Sequence, residues 1–173
     1  MAATWRATQG AVAFASGKDM INVFNSSSSA KTINVYRAYH FNNGTGAVTG
    51  VLTTMQARRI TTATGGTTFA PVAHNTASAA LDANTTAGTN QSVTGGSVFR
   101  RYVWSNDEPA VSGATLDEWE LLVPFAEVFM AGYGDSNIEP IVSRAGQNEG
   151  FELVQTGTSA VGSNDFEIEF TNT

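Results

Sequence analysis

The feature of this chain that most restricts its fold is a two-residue alternation of apolar and polar side chains. It is strictest near the C-terminus, in the run F-E-I-E-F. Phe166, Ile168 and Phe170 share one face of an extended strand, whereas Glu167 and Glu169 share the other. The run therefore predicts a β-strand whose aromatic face is buried and whose two glutamates form a solvated outer face.

Similar apolar runs recur along the chain, separated by clusters of Gly, Asn and Ser that are typical of turns. Many short strands with such punctuation are typical of sandwiches and jelly rolls. We therefore expect an all-β chain that forms a single-domain, jelly-roll-like β-sandwich over residues 1–173, with about eight to ten short strands. The predicted strands include residues 19–25, 32–41, 51–60, 99–104, 118–130, 138–144, 150–156 and 166–170.

The run at residues 32–41 carries a more specific prediction about side-chain direction. Unbroken alternation puts one set of side chains on a common face: Ile33, Val35, Arg37, Tyr39 and Phe41. The intervening residues, which include His40, then share the opposite face because successive side chains of a strand alternate in direction.

Composition narrows the class of protein. The chain has no cysteine, which excludes disulfides and thiolate metal sites. Only 14% of the residues are charged, and the polar surface is supplied mainly by 22 Thr, 14 Ser and 13 Asn. No apolar run reaches the ~18 residues that a membrane helix needs. Residues 1–10 lack the pattern of a signal peptide. We therefore expect no membrane partner and no export by that route.

Charge is distributed unevenly along the chain. Residues 1–81 hold six bases and one acid, for a net charge of +5, whereas residues 82–173 hold three bases and fourteen acids, for −11. One interpretation is a bipolar molecule that binds copies of itself, or a partner with a complementary charge pattern, through opposite potentials. The other is that strands of the two halves interleave, so that the charges mix in space. The acidic balance argues against a nucleic-acid partner, which calls for a basic face.

The stretch at residues 70–96 contains few large apolar side chains and is predicted to be a long loop, with a short helical turn at residues 77–83. Long loops in compact domains commonly carry function. We expect this loop to contact a partner. The predicted interface residues are Arg58, Arg59, His74, Arg100 and Arg101. Neighbours on a strand point to opposite faces, so one arginine of each pair needs a carboxylate inside the protein or at an interface.

No motif indicates catalysis, a cofactor or a metal. His40 and His74 lack the spacing of a metal-binding pair. The glutamates at positions 118 and 120, and those at 167 and 169, have the spacing that glycosidases need, but their alternation with apolar residues favours a solvated face. The acidic turns at residues 106–109 and 134–137 could bind calcium, yet neither follows the twelve-residue pattern. We expect no catalytic, cofactor-binding or metal-binding residue.

Several short segments resemble the head-decoration (cement, or auxiliary capsid) proteins of tailed bacteriophages. They are residues 16–25 (SGKDMINVFN), 58–66 (RRITTATGG), 71–76 (PVAHNT) and 138–147 (IEPIVSRAGQ). The resemblance implies a jelly-roll-like sandwich on the outer surface of an icosahedral head, made in the bacterial cytoplasm. It also implies a homotrimer that braces neighbouring subunits of the major capsid protein.

An alternative function is a carbohydrate- or receptor-binding module of a phage fibre or tail, since jelly rolls also include lectins. Such a module would need exposed aromatic side chains. The candidates are Trp5, Tyr36, Tyr39, Trp104, Trp119 and Tyr133. A glycan hydrolase that uses the glutamate pairs is a third possibility.

Overall fold

The computed structural model describes residues 2–42, 52–105, 125–131, 138–156 and 163–173. Twelve strands occur in these ranges, which is more than the eight to ten expected because residues 67–89 contribute three short strands. The strands are β1 (Thr4–Ala13), β2 (Ile21–Asn25), β3 (Ile33–Asn42), β4 (Leu52–Thr64), β5 (Thr67–Phe69), β6 (Val72–Ala73), β7 (Thr85–Thr89), β8 (Ser92–Ser105), β9 (Phe125–Met130), β10 (Ile141–Ser143), β11 (Glu149–Gln155) and β12 (Ser163–Asn172).

These strands form two antiparallel sheets. Sheet 1 has the order β10-β3-β12-β1-β6. β9 also pairs with β3: β10 pairs with residues 33–35, near the beginning of β3, and β9 pairs with residues 37–41, towards its end. Sheet 2 has the order β5-β7-β2-β11-β4-β8. The all-β class and the two-sheet sandwich are confirmed. A strand occurs at each predicted position within the described ranges, but β8 begins seven residues before the predicted start at 99, and β10 covers only three residues of the predicted range 138–144.

One hydrophobic core lies between the sheets. Sheet 1 contributes the aromatic face of β12, in which Phe166, Ile168 and Phe170 are fully buried, as predicted. Sheet 2 contributes Phe151 and Leu153 of β11, together with apolar residues of β2 and β4. Burying a side chain of this size contributes roughly 1.5–3 kcal/mol, so the core supplies the main driving force for packing the two sheets.

A β-bulge reverses the side-chain directions of β3. Val35 and Arg37 lie opposite consecutive residues of β12, so Tyr36 is an extra residue in the ladder. An extra residue shifts the alternation by one position. The side chains of Ala38 and His40 are consequently buried, as is that of Val35. The prediction of one continuous face along this strand is wrong beyond the bulge.

The segment at residues 70–96 is not a structureless loop. Its predicted contact with a partner is based on its being a long loop, so that argument no longer applies. It contains β6, β7 and the start of β8, and residues 77–83 form no helical turn. β7 extends sheet 2 by pairing with β2, and β6 extends sheet 1 by pairing with β1. Small residues fit here because Ala87 and Gly88 of β7 are buried against β2.

Strands of the acidic and basic halves interleave. Within the described ranges, every strand pairing except that of β1 with β6 joins residues 1–81 to residues 82–173. Six of the seven ion pairs among the described residues also join the two halves, for example Arg6 with Glu167 and Arg58 with Glu152; the exception is Arg144 with Glu149. This geometry favours the interpretation in which opposite charges mix in space.

Candidate functional site

The five residues predicted to form an interface divide between the two sheets. Arg58 and Arg59 lie on β4, and Arg100 and Arg101 lie on β8, which is the edge strand next to it. His74 directly follows β6, at one edge of sheet 1. The structure therefore brings the four arginines together and leaves His74 apart from them.

Two of the arginines join the sheets along the side where β8 faces sheet 1. Arg59 donates from Nη1 to the carbonyl oxygen of Val142 in β10 at 2.5 Å. Arg100 donates from Nη1 to the carbonyl oxygen of Val128 in β9 at 3.0 Å. Both acceptors belong to edge strands of sheet 1, whose outer carbonyls would otherwise need water or another partner. Arg59 and Arg100 therefore have intramolecular roles.

The remaining two arginines have opposite environments. Arg58 forms a hydrogen-bonded ion pair with Glu152, a fully buried carboxylate on the neighbouring strand β11. The expectation of a carboxylate partner for one arginine of each pair is met at positions 58 and 59 but not, among the described residues, at positions 100 and 101. Arg101 is exposed and has no ion pair with any described residue. Of the four arginines, Arg101 has the environment that best suits a contact with a partner.

The outer face of sheet 1 carries an ion-pair network around Glu169. Arg6 reaches Glu167 at 3.2 Å and Glu169 at 2.6 Å. Arg37 and His74 approach Glu169 at 3.4 and 3.6 Å. Glu169 is only 7% exposed, so the prediction of a solvated glutamate face is wrong for this residue. The cause is coverage by long cationic side chains from β1 and β3, which the alternation within one strand does not reveal.

A second polar cluster is buried in sheet 2, and the sequence analysis missed it. Asn22 donates from Nδ2 to Oδ2 of Asp19 at 2.5 Å and to Oε1 of Gln91 at 2.7 Å. The backbone N–H of Gln91 donates to Oδ1 of Asp19. Glu152 lies directly opposite Asn22 in the pairing of β11 with β2, and Arg58 lies opposite Glu152 on its other side. We call these five residues the Glu152 cluster.

Burial changes the acidity of the two carboxyl groups in the Glu152 cluster. It raises the pKa of Glu152 to about 7, against the opposing effect of Arg58, and raises that of Asp19 to about 6. A sequence signal for this cluster does exist: Asn22 and Glu152 are polar residues inside short runs whose neighbours are apolar. Partners at these positions could not be assigned because they come from distant strands.

The exposed side of β8 is the apolar surface closest to Arg101. Val98, Phe99 and Val103 are 37%, 42% and 64% exposed. Apart from an isolated bridge between Ser92 and Lys18 at its beginning, β8 pairs with no described strand other than β4, so the far side of residues 98–103 is an open sheet edge among the described residues. We call residues 98–103 the β8 edge. Open edges with apolar side chains are ready templates for pairing with another chain.

His40 is a buried core residue. Its ring stacks on Phe166 with 4.6 Å between centroids, and its Nδ1 lies 3.2 Å from the hydroxyl of Tyr102. Burial lowers the pKa of His40 to about 3, which keeps the imidazole neutral at physiological pH. This environment is that of a packed aromatic side chain and not that of a general base.

Several predicted features fall outside the described residues, including the turns at 106–109 and 134–137 and the glutamates at 118 and 120. Within the described ranges, no three His, Asp or Glu side chains are grouped so that they could hold a metal ion. In the same ranges, no helix has the length and apolar character needed to cross a bilayer.

Comparison with known proteins adds no assignment. No protein-family model, no curated protein and no solved structure matches this chain significantly.

Proposed function

We propose that this chain is a non-enzymatic structural protein of a virion, which binds the outside of an icosahedral phage head and stabilises contacts between capsid subunits. The observation that carries the proposal is the β8 edge, which combines an open strand edge, exposed apolar side chains and an exposed arginine. The resemblance of four segments to head-decoration proteins supplies the kind of partner. The ion pairs of Glu167 and Glu169 with Arg6 favour a structural role for this glutamate pair over a role in glycan hydrolysis.

The topology supports a jelly-roll form of the sandwich. The first strand pairs with the last, and sheet 1 contains the series β1-β12-β3-β9. Sheet 2 contains the series β2-β11-β4-β8. Two four-stranded sheets built in this way account for eight strands, the number in a jelly roll. The other four strands are short additions: β5, β6 and β7 lie between β4 and β8 in the chain and at the far edges of the two sheets, and β10 pairs with β3 in sheet 1.

The partner proposed for the β8 edge is an extended segment of the major capsid protein that carries an acidic side chain. Val98, Arg101 and Val103 lie opposite Arg58, Gln56 and Thr54, respectively, so they share the outer face of sheet 2. An added strand would extend the ladder and cover the two valines, while a carboxylate would pair with Arg101. Three copies of the chain around a local three-fold axis would repeat this contact, and many weak contacts stabilise a shell collectively.

Co-sedimentation with heads that lack the protein tests this proposal. Saturable pelleting at a multiple of three copies per repeating shell unit is the expected result. The variant Val103→Lys places a charge on the β8 edge and should weaken binding about tenfold or more, because charged residues block strand addition. The matched control is Val72→Lys, because Val72 is equally exposed, at 63%, on the opposite edge strand β6.

The outcomes separate the proposal from its alternative. Equal binding by both lysine variants would remove the β8 edge as the attachment surface. Absence of wild-type binding would overturn the decoration function and favour the carbohydrate- or receptor-binding module, which glycan screening would then test. Trp5 does not serve that alternative as a binding platform, since it is 8% exposed and belongs to the core.

A further inference from the structure

The Glu152 cluster contains two buried oxygen atoms that accept no hydrogen bond from any described residue. They are Oε2 of Glu152 and Oδ1 of Asn22, and both side chains are completely buried. Leaving a buried polar atom without a hydrogen-bond partner destabilises the folded state. Two such atoms on residues that face each other across β11 and β2 therefore require an explanation.

The other hydrogen bonds of the cluster establish that both unpartnered atoms are oxygens. Asn22 uses Nδ2 as a donor to two oxygen acceptors, so its amide cannot be turned around without losing both bonds. Glu152 accepts the Nε–H of Arg58 through Oε1. Oε2 of Glu152 and Oδ1 of Asn22 are consequently both acceptors when Glu152 is ionised, and neither can supply a hydrogen to the other.

We propose that Glu152 is a buried proton-binding site: in the folded protein it carries a proton on Oε2 and donates it to Oδ1 of Asn22. Side chains directly opposite each other on antiparallel strands have Cβ atoms roughly 4.5–5.5 Å apart, which is close enough for this bond. One proton then satisfies both oxygen atoms. This hydrogen bond links β2 to β11, and the hydrogen bond from Arg58 to Glu152 links β11 to β4.

The charges around the site favour this proton. Asp19, from the segment before β2, is a second buried carboxylate whose negative charge disfavours ionisation of Glu152. The positive charge of Lys18 opposes the rise in the pKa of Asp19, and its Nζ donates a hydrogen bond to the hydroxyl of Ser92. The only cation that bonds to Glu152 among the described residues is Arg58. Glu152 therefore has one guanidinium partner and one carboxylate neighbour, and a proton on Glu152 removes the repulsion from Asp19.

Two glycines leave space for the polar side chains of this cluster. A Cβ on Gly95 would lie 2.5 Å from Cζ of Arg58, and one on Gly88 would lie 2.6 Å from Cδ of Gln91. Neither glycine has a positive φ angle, so space and not backbone conformation requires them. The absence of side chains at positions 88 and 95 of the neighbouring strands therefore leaves room for Gln91 and Arg58 of the cluster.

The proton makes sheet 2 sensitive to pH. Glu152 has a folded-state pKa of about 7, raised by burial above its ordinary value of 4.5. The folded state therefore binds more protons than the unfolded state between these two values, and stability falls as pH rises through that window. Above it, two acceptor oxygens face each other between β2 and β11, which weakens that strand pair.

The full chain labelled with ¹³C at glutamate carboxyl carbons provides a direct test by NMR. One glutamate should titrate with a midpoint near pH 7, and its signal should be missing in Glu152→Gln. The thermal midpoint of the wild type should fall between pH 5 and pH 8. In Glu152→Gln this fall should shrink to the part that Asp19 contributes, because the amide mimics the protonated carboxyl and still donates to Asn22.

The control variant is Glu149→Gln on the same strand. Ion pairing with Arg144 lowers the pKa of Glu149, so this change should leave the fall in thermal midpoint above pH 5 unaltered. The proposal is overturned if every glutamate of the wild type titrates below pH 6. It is also overturned if Glu152→Gln loses stability with pH in parallel with the wild type. Should that variant fail to fold, the wild-type titration alone decides.

Discussion

At the scale of single residues, the most consequential contact is the one between Arg58 and Glu152. The carboxylate is completely buried, whereas the arginine side chain remains 23% exposed. A buried charge is tolerated only when it is paired, so each partner makes the other acceptable inside the sheet. The pair also explains why glycine occurs at position 95, since the guanidinium occupies the space of a missing side chain.

Replacing Arg58 with Met should destabilise the protein by about 3 kcal/mol at pH 8, the lower end of the range for a broken buried pair because Arg58 is partly exposed. The loss should be smaller at pH 5, where Glu152 can be protonated instead. Urea unfolding at both pH values measures the difference. The control Arg101→Met removes an exposed arginine of β8 and should change stability by less than about 0.5 kcal/mol.

Adjacent glycines of β8 offer a second test at this scale. Gly95→Ala should cost about 1–3 kcal/mol, because the new methyl group would displace the Arg58 guanidinium from Glu152. In Gly96→Ala the nearest atom is the carbonyl oxygen of Arg59 at 3.4 Å, so stability should be unchanged or slightly higher. Equal effects of the two variants in chemical denaturation would contradict the packing described for Arg58.

At the scale of strands, the two sheets are held together by more than their core. Arg59 of β4 donates to a backbone carbonyl of β10, and Arg100 of β8 donates to a backbone carbonyl of β9. The ring of Phe99 lies 5.6 Å from Cζ of Arg59 and adds a cation–π contact. These contacts hold β10 against β4 and β9 against β8, which is the strand whose outer edge we propose for docking.

The double variant Arg59→Ala, Arg100→Ala should lose about 2–4 kcal/mol, since each hydrogen bond from a charged donor contributes about 1.5–3 kcal/mol and both sites are partly exposed. Amide hydrogen exchange should accelerate in β9 and β10 more than in β1 and β12. Arg101→Ala serves as the control at the same edge. Uniform acceleration across both sheets would indicate general destabilisation and would contradict a local role of the two arginines.

At the scale of the whole molecule, the chain folds by pairing distant segments. Nine of the ten strand pairings between named strands join residues 1–81 to residues 82–173, so neither half can form either sheet by itself. The same interleaving brings the basic first half next to the acidic second half. Charge separation along the sequence thus becomes a set of ion pairs in space.

Fragments 1–81 and 82–173, prepared separately, should both be unfolded by circular dichroism, because each lacks the partners of nearly all its strands. Mixing them should restore β structure, and raised salt should slow the recovery because screening weakens attraction between the oppositely charged halves. A fragment with a cooperative thermal transition of its own would contradict this account. The intact chain, refolded under the same salt conditions, is the control.

The sequence by itself determined the class of the fold and the position of most strands within the described ranges. Alternation within a strand is a local property, so the burial of Phe166, Ile168 and Phe170 follows from their spacing alone. The need of an arginine at position 58 or 59 for an internal carboxylate also followed from alternation.

Only the tertiary structure decided which distant residues meet. The bulge at Tyr36, the coverage of Glu169 by Arg6 and Arg37, and the pairing of Glu152 with Asn22 all depend on strand register. Register is fixed by neighbouring strands from the other half of the chain, and a shift of one residue exchanges the two faces. Because the strands of the two halves interleave, the residues of each polar cluster come from distant segments, and the linear sequence does not show that they meet.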